Sequence, residues 1–133
     1  MRNLANHILY RANINDNPIT NLQLQKISYF TLGYLINTDR EGLAKKEFEN
    51  SDLQAWLYGP VIPELYEKYK AYKSTPIQDT GEVQEQFNQT DINNMIDKLL
   101  AVNPFTLVDM SHTHKVWKDN EKEIKLFGTK PSY

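Results

Sequence analysis

Residues 19–35 read ITNLQLQKISYFTLGYL and contain the strongest helix signal in the chain. Thr20 can cap a helix, and Gln23 stands three residues later, as a capping box requires. Ile19 and Leu24 occupy the two positions of a hydrophobic staple. This pattern predicts a helix that begins directly after Thr20.

The interior of the same stretch predicts that this helix is the central core helix of the domain. Its apolar side chains recur at spacings of three and four, and they are Leu24, Ile27, Phe30, Tyr34 and Leu35. Gln23, Lys26 and Thr31 lie off this stripe. We therefore expect the other helices to pack around this one.

Spacings of the same kind predict further helices on both sides of it. The first helix contains Leu4, Ala5, Ile8, Leu9 and Ala12. The third begins at Pro63 and ends near residues 74–76, and its face carries Leu65, Tyr66, Tyr69 and Tyr72. The fourth contains Ile92, Met95, Ile96, Leu99 and Leu100, and either Thr90 or Asn88 can cap it. After Asn103-Pro104 and a short apolar segment, Ser111 can cap a last helix that carries Trp117.

Two segments lack a helical pattern. Residues 48–58 suit an extended segment or short strand ending at Gly59-Pro60, and residues 76–87 suit a loop or a short hairpin. The predicted fold is therefore mainly α: a compact single-domain bundle of about five to six helices with a short extended segment or small β-hairpin. We expect residues 1–127 to form the domain and residues 128–133 to be a flexible C-terminal tail.

The composition argues against several classes of protein. Fifteen Lys and Arg against 17 Asp and Glu give a net charge of −2 at pH 7, without a long basic run, so autonomous nucleic-acid binding is not expected. The chain contains no cysteine and shows neither a signal-peptide pattern nor a membrane-spanning stretch. We expect a cytoplasmic protein with no membrane association.

Two groups of polar residues suggest chemistry, but each has a simpler explanation. His112 and His114 are two residues apart, point to different sides of a helix, and would reach His7 only through the fold, so no metal site is assigned. Asp109, Ser111 and His112 have the residue types of a hydrolytic triad without the glycine-flanked turn of a nucleophile. We predict no catalytic residue, no cofactor and no enzymatic activity. A metal-dependent hydrolase built on the three histidines remains the alternative, which elemental analysis would test.

Three blocks of the sequence resemble the Panacea antitoxin domain, also described as the SocA-like or phage-associated GepA family. The blocks are residues 21–30 (NLQLQKISYF), residues 53–66 (LQAWLYGPVIPELY) and residues 107–112 (LVDMSH) followed by Trp117. The residues that carry the family pattern, with an expected structural role, are Leu24, Gln25, Lys26, Tyr29, Trp56, Ser111, His112 and Trp117. Residues 114–116 depart from the family pattern, which puts in doubt any function of that loop.

The resemblance implies an antitoxin of a type II toxin–antitoxin pair, common on prophages, that neutralises a toxin encoded by an adjacent gene through direct binding. Some partners in the family resemble alarmone synthetases that block translation by modifying tRNA. In one branch the antitoxin is instead an adaptor that delivers its toxin to a Clp-type protease, and this remains the alternative mechanism. Some members of the family carry an extra DNA-binding domain for autoregulation, and we expect no such domain in this chain. Autoregulation and homo-oligomer formation remain open.

The aromatic residues near the Gly59-Pro60 turn are the predicted partner-binding surface. Tyrosine combines a large contact area with a polar tip at low entropic cost, which suits an interface. The predicted surface consists of Tyr58, Gly59, Pro60, Tyr66, Tyr69 and Tyr72. Trp56 and Trp117 are expected in the core.

Overall fold

The computed structural model describes the backbone of residues 1–48, 54–56 and 59–112 and the side chains of residues 1–47 and 61–110. In these residues the fold is mainly helical, which confirms the predicted class. The helices are α1 (Arg2–Ile14), α2 (Asn21–Asn37), α3 (Glu41–Phe48), α4 (Pro63–Tyr69), α5 (Thr90–Leu100) and α6 (Pro104–His112), and a 3-10 turn (Lys70–Tyr72) extends α4. The two short strands are β1 (Gln54–Trp56) and β2 (Gly59–Val61).

The helix predicted to be central is central. α2 contacts α1, α3, α4, α5, α6 and β2. Oγ1 of Thr20 accepts the Gln23 N–H, and Oε1 of Gln23 accepts the Thr20 N–H, so the predicted capping box is formed. Ile19 and Leu24, the predicted staple pair, are both buried.

Burial around α2 is wider than the apolar stripe indicates. Gln23, Lys26 and Thr31, which lie off the stripe, are buried as well. The reason is that α2 is enclosed by neighbours on most of its circumference, so its polar side chains are covered along with its apolar ones. A buried hydroxyl needs a hydrogen-bond partner, and the Thr31 hydroxyl donates to the Ile27 carbonyl at 2.7 Å.

Several boundaries differ from the prediction. α3 was not predicted; it packs on α1, where the Leu4 N–H donates to Oε1 of Glu47 at 2.9 Å. The N-cap of α5 is Gln89, without a side-chain cap, so neither Thr90 nor Asn88 has the predicted role. Ser111 lies inside α6 and is not the cap of a later helix, because the helix already begins at Pro104.

The extended segment before Gly59-Pro60 is confirmed in part. β1 and β2 pair antiparallel with Trp56 opposite Gly59 and Ala55 opposite Pro60. Residues 49–53, 57 and 58 of this region lie outside the described residues. The hairpin leads directly into α4, whose first residue is Pro63, the position predicted for it.

Residues 76–84 form a loop without strands, and this loop packs on α1. Gly81 has a φ of +66°, and a Cβ there would lie 2.3 Å from the Asn6 carbonyl oxygen. Glu82 donates its N–H to the same carbonyl at 3.2 Å. A residue without a side chain is therefore needed where the loop touches α1.

Polar contacts fix α5 against α1 and α2. The Arg11 guanidinium makes two hydrogen bonds to the Asp97 carboxylate. Asp91 accepts hydrogen bonds from the Tyr34 hydroxyl at 2.9 Å and from Arg40 at 3.0 Å. None of the helices in the described part of the chain is long and apolar enough to cross a membrane.

Candidate functional site

The first two sequence blocks meet at one buried side chain, Gln25. Its Oε1 accepts the Ile62 N–H at 2.6 Å, and its Nε2 donates to Oδ1 of Asn21 at 3.2 Å. Asn21 in turn donates its Nδ2 to the Tyr66 carbonyl at 3.4 Å. Because Gln25 is only 2% exposed, these bonds are shielded from water and hold the start of α4 against α2.

A cleft of about 320 Å³ opens between α2 and α4 beside this junction. Its described lining residues come from α2, from the end of β2, from α4 and from the turn after α4. They are Asn21, Leu22, Gln25, Lys26, Val61, Tyr66, Lys70 and Lys73. We call this feature the α2–α4 cleft.

Lys26 lies in the wall of the cleft and is 0% exposed. Burial lowers the pKa of its amine to about 7, since removing an ammonium from water disfavours the charged form. An amine with that pKa has the protonation state of a nucleophile or base, but Lys26 presents no surface to a substrate in this conformation. With a pKa of about 7 the amine is only partly protonated at neutral pH, so it contributes at most a partial positive charge beneath the cleft.

The other two lysines are at the rim. Nζ of Lys70 lies 2.6 Å from Oε2 of Glu67, in an ion pair whose side chains are 56% and 63% exposed. Such an exposed pair contributes little to stability. Lys73 is also exposed. The rim therefore carries positive charge that a partner can reach.

Most of the residues that form this cleft lie in a segment that matches a known protein family. Residues 24–118 match the family described as "Antitoxin SocA-like, Panacea domain", which is more than half of the chain. The chain belongs to this family. The match includes Gln25 and Lys26 and the hairpin and helix that complete the cleft.

One curated relative of this Panacea domain is "Antitoxin SocA" of Caulobacter vibrioides (strain NA1000 / CB15N). The two are 38% identical over 71 residues, which are 53% of this chain and 35% of the relative. The aligned segment thus spans about a third of the relative's length. No solved structure matches the chain.

The predicted partner-binding tyrosines separate in the structure. Tyr66 is half-buried and lines the cleft. Tyr69 is only 3% exposed, and its hydroxyl donates to Oδ2 of Asp79 at 3.1 Å. Burial, with the nearby Asp79 carboxylate, raises the pKa of Tyr69 above its usual range. Tyr69 is therefore a core residue with almost no surface for a partner, and Tyr72 packs partly buried against the same core.

The rest of the predicted surface is described in part. Gly59 and Pro60 lie in β2, directly before the cleft residue Val61. Tyr58 lies outside the described residues. Whether these positions contact a partner stays a prediction.

The residues of the family pattern are placed as follows. Leu24 and Tyr29 are buried in the core, and Gln25 and Lys26 shape the cleft. Trp56 is in β1, and Ser111 and His112 end α6, with side chains outside the described set. Trp117 lies outside the described residues, so its expected core position stays a prediction.

His7 has a structural environment. Its Nδ1 accepts the Gln84 N–H at 3.1 Å, so its Nε2 carries the proton and donates to Oδ1 of Asn93 at 2.8 Å. Desolvation by burial lowers the pKa of this imidazole, which therefore stays neutral at pH 7. Among the described residues, no three His, Cys, Asp or Glu side chains come together to hold a metal. His114 and the side chain of His112 lie outside them, so the three-histidine alternative is not tested.

Part of the cleft is not predicted by the sequence pattern. Asn21 and Gln25 are four residues apart on α2, a spacing that brings polar side chains together and was available as a signal. Leu22, Val61, Lys70 and Lys73 have no such signal, since their contribution depends on how α4 packs on α2.

Proposed function

We propose that this chain is the antitoxin of a type II toxin–antitoxin pair and that it neutralises a protein toxin by binding it directly at the α2–α4 cleft. The observation that carries the proposal is the convergence of two blocks of the family pattern on this cleft. Gln25 from the first block holds Ile62 from the second, and both blocks line the opening.

The surroundings of the described buried titratable groups favour binding over catalysis. Both ring nitrogens of His7 make hydrogen bonds within the fold, and Lys26 has no exposed surface. By contrast, Tyr66, Lys70 and Lys73 offer contact area and charge at an open cleft, which are the properties of a binding surface.

The test is co-expression with the product of the adjacent gene. That product alone is expected to stop growth, and co-expression of this chain is expected to restore it. The two proteins should then co-purify as a stable complex. If the toxin blocks translation by modifying tRNA, the complex should also lack that activity in an assay with purified tRNA.

Two other outcomes point elsewhere. Restored growth with disappearance of the toxin, and its return when the Clp-type protease is deleted, would favour the adaptor mechanism. A neighbour that is not toxic, or that this chain does not counteract, would contradict the proposed pair.

A further inference from the structure

The walls and the rim of the α2–α4 cleft differ in chemistry. Leu22, Val61 and the ring of Tyr66 supply apolar surface. Lys70 and Lys73 stand exposed at the α4 end of the cleft. An occupant therefore needs an apolar group for the walls and a negative charge for the rim.

The charge of the cleft opposes the charge of the chain. The whole sequence has a net charge of −2, whereas the exposed charged residues among the described lining residues are two lysines, Lys70 and Lys73, and no lining residue carries a carboxylate. The nearby Glu67 pairs with Lys70 in an exposed contact, and Lys73 is one residue beyond the 3-10 turn. A locally positive cleft on an acidic protein attracts an acidic partner and orients it.

Lys73 occupies a strained backbone position. Its φ and ψ are 54° and −124°, and the Thr75 N–H donates to the Tyr72 carbonyl at 2.9 Å. These values define the first central position of a type II′ turn, where glycine is strongly preferred. A lysine here costs stability relative to glycine, and strain of this kind is concentrated at binding sites.

From these observations we infer that the α2–α4 cleft binds an acidic side chain of the toxin that is flanked by a large apolar side chain. The carboxylate lies between the ammonium groups of Lys70 and Lys73, and the apolar side chain packs on Leu22, Val61 and Tyr66. This inference rests on the proposed function and specifies the chemistry of the contact.

A nucleic acid suits the same surface less well. Binding of a phosphate backbone needs a basic track that follows the strand over several nucleotides. α4 carries Glu64 and Glu67 beside its single lysine, Lys68, so its surface does not supply such a track. The volume of about 320 Å³ matches one or two side chains.

The first test uses matched charge reversals. The double variant Lys70→Glu/Lys73→Glu removes the positive rim, and Lys45→Glu/Lys46→Glu makes the same charge change at exposed positions of α3. We expect the rim variant to weaken toxin binding by about tenfold or more, with a smaller dependence of Kd on salt, and the α3 variant to change Kd by about twofold at most. Equal effects of the two double variants would overturn the inference.

Lys73→Gly separates binding from folding. Glycine relieves the strain of the type II′ turn, so this variant should melt at the same temperature or higher while binding the toxin more weakly. Unchanged toxin affinity in a well-folded Lys73→Gly protein would contradict a role of its ammonium.

The second test identifies the group on the partner. A zero-length carbodiimide joins an amine to a carboxylate within contact distance, and digestion with mass spectrometry locates the link. In the purified complex we expect links from Lys70 or Lys73 to an Asp or Glu of the toxin that is next to a large apolar residue. Links from other lysines alone, loss of the complex on nuclease treatment, or links between two copies of this chain would each overturn the inference.

Failure of the inference and failure of the proposed function give different results. If the wild-type chain neutralises and co-purifies with the toxin while the cleft variants behave like the α3 variant, the antitoxin role stands and the contact lies on another surface. If the wild-type chain does not neutralise its neighbour, both proposals fail.

Discussion

Replacement of the buried Lys26 by methionine should stabilise the protein, and the gain should depend on pH. Methionine has a similar length and fills the same space without an amine, so the pH-dependent part of the change reports the cost of burying the charge. Burial lowers the pKa of Lys26 from 10.5 to about 7 in the folded chain. Below the unfolded pKa, the unfolded chain therefore binds a proton at this site more readily than the folded chain does.

The size of the effect follows from that difference in pKa. An amine whose pKa is lower in the folded chain adds no charge-burial cost above its unfolded pKa, and the cost grows as pH falls from the unfolded to the folded pKa. With pKa values of 10.5 and about 7, the cost of burial is about 4 kcal/mol at pH 7 and about 1 kcal/mol at pH 10. The stability gap between Lys26→Met and wild type should thus shrink by about 3 kcal/mol over this range.

The assay is urea unfolding of both proteins at a series of pH values between about 6 and 10. The contributions of groups that titrate in both proteins cancel in the difference between the two free energies of unfolding, because these groups are the same in each protein. Lys45→Met, at an exposed position of α3, should show no such pH-dependent gap. A constant gap for Lys26→Met would refute the reasoning, since it would mean that the amine stays protonated in the fold. If Lys26→Met is less stable than wild type at pH 7, the contacts of the Lys26 side chain stabilise the fold by more than its desolvation costs.

Three further experiments test the contacts that hold the helices together. Gln25→Leu leaves the buried Ile62 N–H without its acceptor and should cost about 1–3 kcal/mol in urea unfolding; a loss within error would show that this bond does not fix α4 on α2. The lowered pKa of His7 predicts that stability falls as pH drops below its unfolded value of 6.5, and His7→Gln, which can keep both hydrogen bonds, should reduce that dependence in the same assay. A double-mutant cycle on Arg11 and Asp97 should give a coupling energy of about 1 kcal/mol; additive single effects would show that the pair does not link α1 to α5.

The features predicted correctly from the sequence are those that depend on near neighbours in the chain. The capping box at Thr20 joins residues three apart, and the face of α1 follows from a simple periodicity. α3 was missed because its eight residues, EGLAKKEF, offer few apolar positions. That helix is supported by packing on α1 and α2, which its own sequence does not reveal.

The position of α6 shows how one signal can have two meanings. The sequence Asn103-Pro104 predicts the end of α5, because proline cannot continue a helix, yet proline is also favoured in the first turn of the next helix. In the structure Pro104 begins α6, and Oδ1 of Asn103 accepts the Phe105 N–H at 2.8 Å. Ser111 then falls within the range of α6.

The candidate site could be predicted only in outline. The resemblance pointed to Gln25 and Lys26, but the contact of Gln25 with Ile62 spans 37 positions and depends on the tertiary fold. Periodicity placed Lys26 off the apolar stripe, and its burial results from helices that pack on both sides of α2. Tyr69 was assigned to the surface because tyrosine suits both environments, and its hydrogen bond to Asp79 explains how it is accommodated in the core.

Two unfavourable features lie in the wall and rim of the same cleft. Lys26 places an amine where burial opposes its charge, and Lys73 places a side chain where the backbone favours glycine. Glycine at position 73 would suit this backbone better, so stability alone does not account for Lys73. Lys26 lies in the wall of the cleft, and Lys73 stands exposed at its rim. A side chain kept at a strained backbone position beside a cleft is the pattern expected where binding of a partner, as proposed for this cleft, constrains the residue.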